Sequence, residues 1–371
     1  MESMVDFRTL FDGIYQGKKV LVTGHTGFKG SWLVYWLKQM GATVFGYSLS
    51  ADTQPAHFNL FGADISECIA DIRNQETLLE YFTKVQPDIV FHLAAQPLVR
   101  LSYADPVGTY STNVMGTLHV LEACRHTASV KAIVIVSSDK CYDNREWEWG
   151  YRENDPMGGY DPYSSSKGCT ELLTASYRNS FFNNADFGSK HQVLVASGRA
   201  GNVIGGGDWA ADRLIPDMVK AAAVNNSVFI RNPLATRPWQ HVLEPLSGYL
   251  MLGWRLLERR VEFAQGWNFG PAPESNLAVK DIVTLARNSW SDISIEYSTS
   301  PADAHEANLL MLDCSRANKL LHWKPIWDIH ATVEHTIAWY RTFYKENSLL
   351  TNADLNNYIS DAKRKDAIWT R

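Results

Sequence analysis

The chain has 371 residues, 45% of them hydrophobic, and a formal net charge of −5. That length holds one large α/β unit or two domains with a sizeable core, and the acidic balance argues against a general nucleic-acid surface. No run of about 18 apolar residues occurs, so no membrane span is expected, and the five scattered cysteines lack metal-ligand spacing and fit a reducing, cytoplasmic setting.

The first residues, Met1-Glu2-Ser3-Met4-Val5-Asp6, are mixed and acidic, with no signal-peptide core. Residues 19–24 predict a first strand and residues 30–40 the helix that follows. Between them Gly24-His25-Thr26-Gly27-Phe28-Lys29-Gly30 reads Gly-x-x-Gly-x-x-Gly. After a strand and before a helix, such glycines allow a tight turn and close approach of backbone to a pyrophosphate held at the helix N-terminus. Residues 43–47 predict strand two. Ser48, at its end, occupies the place where an acidic residue often holds an adenosine ribose; a serine there can bond a 2′-hydroxyl but repels no 2′-phosphate. Asp71-Ile72 falls where a third strand should end, either to accept from an adenine amino group or to cap the next helix. Residues 89–93 predict a further strand, and Leu93-Ala94-Ala95 would let backbone approach the cofactor. Asn113 is read as the start of a helix over 113–125, either capping it or positioning a water or lysine near the site.

Residues 132–136, Ala-Ile-Val-Ile-Val, predict a strand that ends at Ser138-Asp139-Lys140. Tyr163-Ser164-Ser165-Ser166-Lys167 follows on a predicted helix over 163–177. An i,i+4 spacing puts Tyr163 and Lys167 on one helix face. An ammonium beside a phenol favours phenolate, so a tyrosine with an ordinary pKa near ~10 is expected to act as a base near neutral pH. Ser138 can donate to a developing carbonyl oxygen or to that phenolate. Asp139 suits a buried general acid, and Lys140 either a base or a cation that stabilises an enolate.

Residues 193–197 predict another strand. Continuous apolar strands separated by helices imply an α/β fold with a Rossmann-type, doubly wound parallel sheet. We expect a dinucleotide-binding domain over 1–198, to which residues 240–265 return. A smaller α/β substrate lobe is expected over 199–239 and 266–371, with short strands at 267–269 and 294–297. Of the 13 tryptophans, most are expected in the core and a few along a ligand cleft. Arg237 is the expected diphosphate ligand, since a guanidinium matches two phosphate oxygens. Leu214 and residues 228–230 are expected to enclose a base, and Gln96 to face the substrate. His305 is read as a ribose or diphosphate contact, or as an ordinary loop residue. Residues 146–154, acidic and aromatic, are a candidate lid, and the tail beyond Asn352 is expected to be peripheral.

With the glycine turn, Ser138-Asp139-Lys140 and the Tyr163/Lys167 pair in place, the chain resembles the extended short-chain dehydrogenase/reductase family over residues 20–340. Within it the resemblance is to the nucleotide-sugar 4,6-dehydratases, where the residue after the catalytic Ser or Thr is acidic and a second acidic residue usually follows. Lys140 stands where that second acid is usual, and the run Gly24 to Trp32 accompanies it. This Asp-Lys form is similar to members that act on CDP-glucose. The resemblance therefore implies CDP-glucose as substrate, NAD as cofactor, no metal, a homodimer or tetramer, and a step toward the deoxysugars of surface polysaccharide such as O-antigen. It also implies that Asn202 contacts the diphosphate and that Arg199 lies near the cofactor. The implied reaction is an oxidation at C4, loss of water across C5 and C6, and return of the hydride at C6. A nucleotide-sugar 4-epimerase shares Tyr163, Lys167 and the cofactor turn, and a 4,6-dehydratase acting on another nucleotide sugar is the further alternative.

Overall fold

The computed structural model describes residues 6–230, 232–297 and 309–371. Strands β1 (Lys19–Thr23), β2 (Thr43–Ser48), β3 (Ser66–Ile69), β4 (Ile89–His92), β5 (Ala132–Val136), β6 (Leu194–Ala200) and β7 (Gly266–Phe269) form one sheet. Its order is β7-β6-β5-β4-β1-β2-β3, every pair parallel. The central strands β4 and β5 are buried at every position because both faces are covered. Val20, Val22, Phe91 and Val134 point into one core, and Leu21, Val90, Ile133 and Ile135 into another.

The first core is closed by α1 (Phe28–Gln39) and by helices from the second half of the chain; the second is closed by α2 (Gln75–Val85), α3 (Gly116–Arg125) and α4 (Pro162–Ser180). In the lobe, α5 (Leu214–Ala223) lies beside three small two-stranded sheets. These pair Val203–Ile204 with Gln240–His241, Thr236–Pro238 with Asn276–Ala278, and Ser227–Ile230 with Ser294–Tyr297.

Two expectations about the second half change. Residues 267–269 belong to β7, the seventh strand of the main sheet; the returning segment thus runs through α6 (Leu243–Leu257) and beyond residue 265. The tail is not peripheral. After α7 (Ile329–Glu346), α8 (Thr351–Arg364) buries Leu355, Tyr358, Ile359 and Ala362 on one stripe, and Trp369 stacks between Phe11 and Tyr358. The polar residues that suggested a surface tail are the other face of an amphipathic helix. Most tryptophans are core, including the fully buried Trp32, Trp36, Trp267, Trp323 and Trp339. Trp209 and Trp239 line the cleft described next. Among the described residues, no helix is long and apolar enough to cross a membrane.

Candidate active site

The strand order reverses between β1 and β4, and a cavity of about 1490 Å³ opens there, beyond the carboxyl ends of the strands. A crevice at the switch point is where open α/β sheets bind ligands. Its volume exceeds the usual range for one small ligand, so a dinucleotide and a second nucleotide fit together.

The glycine turn forms one wall. Gly24 has φ +72°, and a Cβ there would stand 2.7 Å from the Ala94 nitrogen; a Cβ on Gly30 would collide with the Gly24 carbonyl oxygen. Gly27 caps α1 without a side-chain bond, so the first-turn N–H groups remain available to an anion. Gly24, Thr26, Gly27, Phe28, Lys29, Gly30, Ser48, Asp71, Ile72, Leu93, Ala94 and Ala95 all line the cleft. That glycine cradle and open helix end fit a dinucleotide. Ser48 shares a 2.9 Å hydrogen bond with Thr26, and Asp52 lines the wall beside it. Asp71 does not cap α2; Asn74 does, accepting from the Thr77 N–H at 3.1 Å. Asp71 is paired instead with Arg73, which holds its carboxyl below the usual range.

Three residues assigned to the site from sequence stand behind the wall. His25 is buried against β2, where a Cβ on Gly46 would meet its ring at 2.6 Å, and its Nε2 is 2.6 Å from Glu67. Asn113 is neither a helix start nor a cap. It lies in a π turn, Ser111–Met115, inside a continuous helical run over 106–125. Its Oδ1 accepts from the Gln96 N–H at 2.8 Å, and its Nδ2 donates to the Gln96 carbonyl and to Ser166 Oγ. Asn113 therefore ties the loop after β4 to α4, and Gln96 is a structural partner whose side chain bonds Thr109 and Leu98 rather than facing the cleft.

Ser138, Asp139, Lys140, Tyr163 and Lys167 all line the same cleft. Asp161 caps α4, accepting from the Ser164 N–H at 2.9 Å, and so sets the first turn that carries Tyr163. Ser138 Oγ donates to Asp139 Oδ1 at 2.9 Å and is placed to favour the Tyr163 phenolate. Burial raises the pKa of Asp139, against the pull of Lys140, Ser138 and Lys29.

The expected source of phenol acidity changes. Burial pushes Tyr163 up to about 12, and the groups that oppose this are the Ser138 hydrogen bond and Arg213. Lys167 is itself pushed down to about 8 by burial, with Glu171 and Cys141 pulling the other way. Arg213 escaped the sequence reading. It lies in the lobe, 2.7 Å from Asp208, and precedes the first turn of α5. A cation at the positive end of a helix is disfavoured, and that misplacement was the available signal.

The family described as GDP-mannose 4,6 dehydratase matches residues 21–336. The chain belongs to this family. A CDP-glucose 4,6-dehydratase of Salmonella typhimurium is 51% identical over 354 residues, which is 94% of this chain and 98% of that protein. Two solved structures share the fold. One is a dTDP-glucose 4,6-dehydratase of Streptomyces venezuelae with NAD bound, at TM-score 0.73 and 23% identity, covering 87% of this chain and 97% of that one. The other is a UDP-glucose 4-epimerase of Thermotoga maritima with UDP-glucose, at TM-score 0.75 and 20% identity, covering 88% and 100%.

In this dehydratase-family chain the cleft is braced from behind by a buried ion pair. Arg199, expected near the cofactor, does not reach the cleft. Its NH2 bonds Glu171 at 2.8 Å and its NH1 bonds the Tyr142 hydroxyl at 2.7 Å. Glu171 also accepts from Ser197, and it sits one helical turn beyond Lys167. Burial opposes its charge, and Arg199 more than offsets this, so its pKa is lowered. The pair thus locks α4, β6 and the segment after Lys140 together. The candidate lid, residues 146–154, is anchored by the same network. Arg199 donates to the Glu153 carbonyl, and Tyr151 pairs with Met311 and Asp313 through backbone bonds.

Asn202, Leu214, residues 228–230 and Arg237 line the far wall. Gly201 lies between: a Cβ there would stand 2.9 Å from Asp139 Oδ2, so only glycine lets the chain cross into the lobe against the acid. Arg100 and Asp212 form a 2.8 Å ion pair between the loop after β4 and the lobe. His305 lies outside the described residues.

Proposed function

We propose that the protein converts CDP-glucose to CDP-4-keto-6-deoxy-glucose. The observation that carries this reading is the convergence of Asp139 and Lys140 with Ser138, Tyr163 and Lys167 on one cleft beside the glycine turn. An epimerase needs no acid and base beside its serine. The turn from Gly24 to Gly30 and residues 93–95 would hold NAD, which when bound would supply the hydride acceptor for C4 and the donor for C6. The Asp52 carboxylate on this wall disfavours a 2′-phosphate and so favours NAD over NADP.

Tyr163 takes the C4 hydroxyl proton, with Ser138 holding the oxygen. The 4-keto group acidifies the hydrogen on C5, and Lys140 removes it. Asp139 protonates the departing C6 hydroxyl. Asn202 and Arg237 take the sugar-nucleotide diphosphate, while Leu214 and residues 228–230 enclose the base, giving the lobe its substrate role. Five free cysteines suit a reducing cytoplasm, where such a step feeds the deoxysugars of surface polysaccharide, including O-antigen. The test is a panel of CDP-, dTDP-, GDP- and UDP-hexoses assayed for a 4-keto-6-deoxy product. CDP-glucose should turn over at least tenfold faster than the others; a C4 epimer from any of them would remove the dehydratase reading.

We also infer a homodimer, paired through α4 and the run over 106–125. Their outer faces leave Val107, Met115 and Leu172 76%, 44% and 60% exposed. Clustered apolar exposure of this kind marks an interface. Leu172→Arg should sediment as a monomer at concentrations where the unaltered chain is dimeric, and an unchanged assembly would remove this face from consideration.

A further inference from the structure

Two arms of the chain meet across the cleft. On one side Arg100 sits on a short helix, Val99–Ala104, in the loop after β4; on the other Asp212 stands just before α5 in the lobe. Their ion pair of 2.8 Å joins positions 112 residues apart. Each arm is braced behind its tip. The Gln96 side chain accepts from the Leu98 N–H and donates to Thr109 at 2.9 Å, and Asn113 holds the Gln96 backbone. In the lobe Asp208 accepts from Arg213 at 2.7 Å and from the Ala210 N–H at 3.0 Å, while its own N–H donates to the Tyr340 hydroxyl on α7. The tip pair differs from these bonds, since its side chains are 52% and 47% exposed. Asp212 also holds φ +60°, a left-handed backbone that suits glycine best, yet the chain places there the acid that reaches Arg100. Residues 97–101 and 212–217 both line the cleft. Arg213, beside the pair, acts on Tyr163, and Leu214 stands at the end assigned to the base, so the pair crosses the path of the sugar nucleotide.

We propose that Arg100 and Asp212 form a clasp over the cleft, which parts to admit the sugar nucleotide and parts again to release the product. The clasp rests on the dehydratase reading only in needing a sugar nucleotide between the arms. A half-exposed ion pair stabilises by little, so it opens on thermal motion, whereas the bonds behind it keep the shape of each arm. Opening therefore costs one weak bond and no unfolding. Loss of water across C5 and C6 leaves an unsaturated ketone, and a closed clasp keeps that sugar beneath the arms until hydride returns to C6.

The probe is CDP alone, mixed rapidly with the full-length protein and followed through the fluorescence of Trp209 and Trp239, which line the cleft. Wild type is compared with Arg100→Met, Asp212→Asn and the double variant. Both substitutions lie at half-exposed positions, and asparagine tolerates the left-handed backbone. Each single variant should speed association and dissociation together by about twofold to fivefold, the range of one exposed pair, with affinity within about twofold of wild type. The double variant should be no faster than either single one, because either change alone parts the clasp. Unchanged rates in both single variants, or effects that multiply in the double variant, overturn the proposal. So does a split in affinity, weaker in Arg100→Met and tighter in Asp212→Asn, which would make Arg100 a diphosphate ligand. If wild type binds UDP, dTDP or GDP in place of CDP, the nucleotide assignment fails and the clasp is read with that nucleotide; binding of none of the four overturns both.

Discussion

Tyr163→Phe should lower turnover by about 10²–10⁴, the usual contribution of a positioned acid–base group, while leaving bound cofactor and fold intact. Phenylalanine keeps the packing of a ring that is almost fully buried on α4 and removes only the oxygen. The expected signature is the absence of any reduced-cofactor absorbance on mixing with substrate, because the C4 hydroxyl proton then has no acceptor. Burial pushes the phenol up to about 12, so its acceptor form depends on the groups around it. The proton passes from the sugar hydroxyl to the phenolate oxygen as the hydride leaves, with Ser138 and Arg213 favouring the phenolate against burial. Normal formation of reduced cofactor in Tyr163→Phe would end this assignment.

What the sequence made legible divides by range. The central strands β1, β4 and β5 could be read because each is largely an apolar run. By contrast β3, Ser-Glu-Cys-Ile, carries no such signal, and residues 267–269 read as part of the lobe. Both local motifs carry their geometry within a few residues. The glycine turn is fixed by close approaches at Gly24 and Gly30, and the Tyr163/Lys167 pair by helical periodicity. What escaped depends on contacts far apart in the chain. Arg199 looked like a site residue because it stands near the end of β6, where the chain crosses into the lobe, but its partner Glu171 is on α4, and no local pattern joins them. Asn113 looked like a cap because polar residues often begin helices; its bonds to Gln96 and Ser166 and the π turn around it appear only in three dimensions. Arg213 and Lys29 share a signal that was readable and went unused. Each is a cation placed at a helix start, against the helix dipole, and such placements point to a ligand or a charged neighbour.

Asp139→Asn and Lys140→Met should both oxidise C4 and then stall, each losing about 10²–10⁴ in product formation and accumulating reduced cofactor. They should differ at C5. Lys140→Met removes the base, so no solvent deuterium should enter C5. Asp139→Asn leaves the base and removes the acid, so C5 exchange should continue while water is not lost. Exchange in both variants would assign the base elsewhere, and exchange in neither would make the two residues a single unit. Stability separates chemistry from folding in the aspartate variant. Burial raises the folded-state pKa of Asp139 above the ordinary value near ~3.9, so the unfolded chain releases this proton first as pH rises. Folding therefore loses stability across the window between those two values and stays weakened above it. Asparagine carries no charge to desolvate and can keep the contact with Ser138, so Asp139→Asn should melt higher than wild type at neutral pH. A variant that is more stable, binds cofactor, oxidises C4 and fails only at water loss would identify a carboxyl kept protonated for one proton transfer, at the expense of the fold that holds it. A lower melting temperature would mean that the carboxyl is structural and that the acid at C6 is another group.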